Sequence, residues 1–219
     1  MWTSQMRALL AKDLRLHGRD AAFAAGGAFL LIEMANRLVD QGPGPRGSFV
    51  FNINLLLTLL WSEWLITRER SKRTFAWLRG LPVDDRVLVS SKFVAGAGCA
   101  VAFWILSSAL FARELWQPVG TGLVLLCALL SFGGLSIAAK WRFPWKVGHF
   151  LPLLVILVPL LILMKLAGDG SVAQERLVAL WNAPAGRPAV AATLLLVYAA
   201  IVTVTVRWVS GADTSQLVD

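Results

Sequence analysis

The chain has 219 residues, 57% of them hydrophobic and only 16% charged, with a mean hydropathy of +0.66. A soluble domain carries about 25% charged residues, so this composition excludes an ordinary water-soluble globule and points to a membrane protein. The formal charge of +8 does not indicate nucleic acid, because the basic residues lie between apolar runs, where the bias of lysine and arginine toward cytoplasmic loops accounts for them.

Residues 2–20 precede any span. Trp2, Met6, Leu9, Leu10 and Leu14 recur at helical spacing, with Arg7, Lys12, Arg15 and Arg19 on other faces. A basic amphipathic helix of this kind lies in the membrane interface. Six apolar runs follow, at 21–38, 49–66, 93–112, 119–139, 150–167 and 189–208. Each is close to the ~20 residues that cross a hydrocarbon core as a helix. The first begins only after about 20 mostly polar residues and reads as a retained span, not a cleaved signal. The fifth carries Pro152 and Pro159 on one side, which predicts a bent or broken helix. The expected fold is an all-α integral membrane protein: one transmembrane domain of six transmembrane helices behind an N-terminal interfacial helix.

Lysine and arginine set the orientation. Fifteen of the 21 fall on the side of both termini and of the 67–92 and 140–148 loops, and six fall on the other. The positive-inside bias therefore places both termini in the cytoplasm of a multi-pass protein of the cytoplasmic membrane. The 168–188 segment then lies outside. It mixes Val172, Leu177, Leu180 and Trp181 with polar residues, a pattern that fits a short interfacial or re-entrant helix as well as a plain loop.

Polar groups inside the spans are costly in lipid and mark either packing or function. Glu33 and Arg37 are four apart on one helical face with Asn36 beside them. They read as a self-neutralised pair or as part of a substrate path. Asn52, Asn54 and Thr58 in the second run could face the same cavity, although Asn52 and Asn54 cannot point the same way along a helix. Glu63 stands near the cytoplasmic boundary. Cys99 and Cys127, both within apolar runs, read as small buried hydrophobes. His17 and His149 read as interfacial side chains. Glycines such as Gly26, Gly27, Gly96, Gly98, Gly133 and Gly134 permit close helix approach.

The segment 67–92 is the long charge-dense stretch between spans, with seven of the 21 basic residues. Phe75, Trp77, Leu78 and Leu81 are set among the charges. Gly80 suits a helix C-terminus and Pro82 disfavours helical geometry at Leu81. Asp84 or Asp85 can cap a helix restarting at Arg86. A short amphipathic helix, a turn and a restart at the cytoplasmic face form the shape of a docking element. No Gly-x-x-x-x-Gly-Lys-Ser/Thr loop, His-Glu-x-x-His pair or Gly-x-Ser-x-Gly elbow occurs. Driven work by this chain would need an energy-converting partner.

The pattern Glu69-Arg70-x-x-x-Thr74-x-x-x-Leu78-x-x-Leu81-Pro82-Val83, followed by Val89-x-x-Lys92, resembles the loop between spans two and three of ABC-2 type permeases, the membrane halves of type-2 ABC exporters. The N-terminal Leu10-x-Lys12-Asp13-Leu14-Arg15 resembles that family's interfacial connecting helix, and six spans with both termini inside match its architecture. The chain departs from the pattern at Arg73, where many members have glycine, and it lacks the large outer domain of some members. The resemblance implies that Glu69, Arg70, Thr74, Phe75, Leu78, Arg79, Leu81 and Pro82 form a coupling helix seated in a groove of an ATPase subunit. ATP and magnesium would be bound there and not in this chain. It also implies a second permease copy, or a paralogous permease, as the other membrane half. A non-transporting tether or immunity-type module, and a self-sufficient secondary carrier using Glu33 as a proton site, are the alternative readings.

Overall fold

The computed structural model describes residues 2–38, 44–67, 83–110, 119–143 and 182–211, with isolated positions at 148, 151, 154, 175, 176 and 179. It is helical, with no strand among the described residues. The long helices are α1 (Trp2–Leu38), α2 (Gly44–Thr67), α3 (Asp85–Leu110), α4 (Val119–Arg142) and α5 (Gly186–Gly211). Three of them contain stretches long and apolar enough to cross a membrane: Asp85–Leu106, Gly122–Arg142 and Gly186–Gly211, with mean hydropathies of 1.6, 2.2 and 2.4. These coincide with the third, fourth and sixth expected runs. Asn54–Ile66 of α2 is a shorter apolar helix. The fifth expected run, apart from Leu151 and Leu154, and most of the 168–188 segment lie outside the described residues.

The N-terminal region departs from expectation. A break between an interfacial helix ending near residue 20 and a first span was expected, but α1 runs unbroken for 37 residues. At 1.5 Å per residue it is about 55 Å long. No proline stands near that point, and Gly18 is accommodated within the helix. Its inward face also differs from the apolar one expected. Met6, Leu9, Asp13 and His17 are buried, whereas Leu14 and Leu16 are 67% and 49% exposed.

The start of α3 follows the sequence closely. Asp84 caps it: the Arg86 amide donates to Asp84 Oδ1 at 2.8 Å, and the Val87 amide donates to the Asp84 carbonyl at 2.8 Å. This supplies partners for amides that a helix start leaves unpaired. The helix thus begins eight residues before the apolar run that was expected to form the span.

α3 sits at the centre and touches α1, α2, α4 and α5, while α4 and α5 pack most closely together. The main core joins Trp61, Leu65 and Ile66 of α2 to Val89 and Phe93 of α3, Ile137 and Trp141 of α4, and Val209 of α5. Lipid is as apolar as these side chains, so close contact and internal polar pairing, not expulsion of water, hold such helices together. Glycine supplies that closeness at two positions on α4. A Cβ on Gly134 would stand 2.8 Å from the Tyr198 ring, and one on Gly133 would stand 2.9 Å from Thr58 Cγ2. Gly26, Gly27 and Gly98 have no atom within 4 Å of such a Cβ, so these three do not bring described helices of this chain together. Cys127 is buried beside Val124 and Ala191, as expected of a small hydrophobe.

Candidate functional site: a buried polar layer between helices

Polar side chains gather inside the bundle where α2 and α4 end and α3 begins. The strongest contact is ionic. Lys92 Nζ of α3 donates to both carboxylate oxygens of Asp13 on α1, each at 2.8 Å, with side-chain exposures of 0% and 1%. Taking two charges out of water is repaid only when geometry and pairing are this tight. Lys12 Nζ lies 3.5 Å from the same carboxylate, but its side chain is 28% exposed. Met6, Leu9, Val87 and Leu88 form an apolar cluster between the same two helices, one to two turns away along each. They keep water from the pair on that side.

One turn along α1 from Asp13, His17 is buried and meets Trp61 of α2 edge-on, with ring centroids 6.2 Å apart. The expectation of an interfacial histidine is corrected here. Its ring faces inward because it shares the helix face of Asp13 and Leu9. Trp61 Nε1 in turn donates to the Ala95 carbonyl of α3 at 3.3 Å. Ser62, beside it on α2, donates to the Leu59 carbonyl at 2.7 Å and lies 2.8 Å from Ser136 Oγ of α4. Lys140 of α4, only 5% exposed, approaches Ser62 Oγ at 3.5 Å. The layer therefore links four helices through hydrogen bonds and the Asp13–Lys92 ion pair. Such contacts fix helix register, because sliding by one turn would bury unpaired charge.

The sequence-derived site residues divide into three groups. Glu69, Arg70, Thr74, Phe75, Leu78, Arg79, Leu81 and Pro82 lie outside the described residues. For Glu33, Asn36 and Arg37 on α1, and Asn52 on α2, the helical backbone is described and the side chains are not. Asn54 and Thr58 are buried, and Thr58 Oγ1 donates to the Asn54 carbonyl at 2.8 Å. The void beside Thr58, bounded by Phe93, Gly133 and Tyr198, has no room for a water molecule.

Asp13 and Lys92 were visible in the sequence only as parts of two separate motifs, 79 positions apart. The available signal was that leucines stand three or four residues from Asp13 on its helix, at Leu9, Leu10 and Leu16, and that Leu88, Val89 and Ala95 stand likewise around Lys92. No group of histidine, cysteine, aspartate and glutamate suited to a metal ion occurs among the described residues. No protein-family model matches the chain, and neither a curated protein nor a solved structure shows significant similarity to it.

Proposed function

We propose that the chain is the membrane-spanning permease subunit of an ATP-driven exporter of the ABC-2 type, working with a separate ATPase subunit. The observation that carries this reading is the 67–92 segment, whose Glu69-Arg70, Thr74, Leu78, Leu81-Pro82-Val83 and Lys92 follow that family's coupling loop. Helices long and apolar enough to cross a membrane, with no strand among the described residues, agree with it. The Asp13–Lys92 pair adds support of a different kind. It joins the segment resembling the connecting helix to the end of the segment resembling the coupling loop, and a movement of that loop would reach α1 through this contact. In this scheme nucleotide-driven closure of the ATPases is transmitted to the spans as a shift between two arrangements of the helices.

Crosslinking tests the reading. A cysteine replacing Phe75 or Leu78 should trap an ATPase subunit in intact membranes. Truncating either residue to alanine should cost on the order of 2 kcal/mol of association, as buried apolar anchors do. Replacing Arg79 should cost less and vary with salt, as rim charges do. A cysteine that reacts only with lipid-phase probes, together with alanine variants that keep normal ATPase coupling, would refute the docking role.

A further inference from the structure

A cavity of about 490 Å³ opens along one side of the α4–α5 pair and also reaches Leu151. Its described walls are almost wholly apolar, among them Leu135 and Ala138 of α4 and Ala200, Ile201 and Val204 of α5. The hydroxyl of Thr205, which also lines it, is turned back to the Ile201 carbonyl at 2.7 Å and leaves the wall apolar. At one end stands Trp208, with the guanidinium of Arg142 stacked over its ring at 4.4 Å. Arg142 is exposed, and it meets no carboxylate among the described residues. No aspartate or glutamate is among the described residues lining the cavity.

From Leu135 to Arg142 is two helical turns, and from Ala200 to Trp208 slightly more, so the slot runs about 11 Å along the helices. That covers most of one leaflet of a hydrocarbon core ~30 Å thick. With α4 and α5 crossing a membrane, the apolar slot would lie within the hydrocarbon and its Trp208–Arg142 end would stand toward the headgroup boundary. Tryptophan favours that boundary, and basic pockets between helices there take anionic headgroups. A guanidinium also offers paired N–H groups that match phosphate in a bidentate contact. Both helices end near this mouth, so their carbonyl ends face it and would repel an anion without Arg142.

We propose that this slot is a binding site for an anionic phospholipid, with one acyl chain between α4 and α5 and the phosphate on Arg142. The site holds a lipid of the leaflet at the end of α4 where Arg142 stands. It does not depend on the exporter reading, because no part of the argument uses the coupling segment.

The test uses the full-length chain in mixed micelles with phosphatidylglycerol or phosphatidylcholine brominated on identical acyl chains. The readout is the quenching contributed by Trp208, obtained by subtracting the signal of the Trp208→Phe variant. Brominated phosphatidylglycerol should reach half-maximal quenching at about a fivefold lower mole fraction, the scale of one basic side chain acting on an anionic headgroup. Arg142→Gln should bring the two lipids to parity. Ala200→Phe places bulk in the slot from an exposed position, where it does not disturb the core, and should remove the quenching by both. Equal quenching by the two lipids in the unmodified protein would overturn the proposal. So would a preference that survives Arg142→Gln, or quenching unchanged by Ala200→Phe, which would mark the ring as bathed by bulk lipid only.

Discussion

Replacing Asp13 by asparagine should destabilise the bundle more than replacing Lys92 by methionine, and making both changes should recover most of the loss. The asymmetry comes from geometry. Asp13→Asn takes the carboxylate away from the ammonium of Lys92, whose side chain is at 0% exposure. Lys92→Met leaves the Asp13 carboxylate with Lys12 at 3.5 Å, on a side chain that already reaches the surface. Removing one partner of a buried pair costs about 3–5 kcal/mol, and replacing both by uncharged groups of similar size is close to neutral. Asp13→Asn should fall at the upper end of that range and Lys92→Met at or below the lower end, with a coupling between the sites of about 3 kcal/mol. For a chain of this length that means a melting temperature lower by on the order of 10 °C for Asp13→Asn. Thermal unfolding in detergent, followed by fluorescence and by size exclusion of the soluble fraction, measures it. Additive losses in the double variant, or an Asp13→Asn protein that melts with the wild type, would show that the pair does not hold α1 to α3.

Gly134→Ala should lower stability by about 1–3 kcal/mol, as overpacking does. Its Cβ would meet the Tyr198 ring at 2.8 Å and disturb the 3.2 Å hydrogen bond from Tyr198 Oη to the Phe93 carbonyl. Gly98→Ala, with nothing within 4 Å, should melt with the wild type and serves as the control. Ser136→Ala should cost only about 1 kcal/mol, because Ser62 keeps its bond to the Leu59 carbonyl; a larger fall in melting temperature would mean that the polar layer acts as one unit. A cysteine replacing Ser71 should be labelled by membrane-impermeant reagents only after the cytoplasmic face is opened, and labelling from outside would reverse the orientation. If Glu33 lines a pathway, Glu33→Gln should change transport with assembly intact, whereas a lower melting temperature with unchanged transport would assign it to packing with Arg37.

Much of the helical framework was legible from local chemistry. Apolar runs near span length located α3, α4 and α5, since a backbone in lipid must satisfy its own hydrogen bonds within a helix. The Asp84 cap and the restart at Arg86 were readable because capping depends on a few consecutive residues. The continuity of α1 was not. An amphipathic half and an apolar half suggest two environments, but a helix breaks only where backbone chemistry requires it, and 20–22 does not. The inward face of that helix was misjudged for a related reason. Hydrophobic periodicity assumes water outside, so it sends leucine inward. With lipid outside, Leu14 and Leu16 can face out while Asp13 and His17 turn in to partners on other helices. Sequence alone therefore determined that the described apolar runs form helices and where charge crowds between them. Only tertiary packing decided that Asp13 and Lys92, 79 positions apart, are one ion pair, because a buried charge is defined by its partner and the partner lies on another helix.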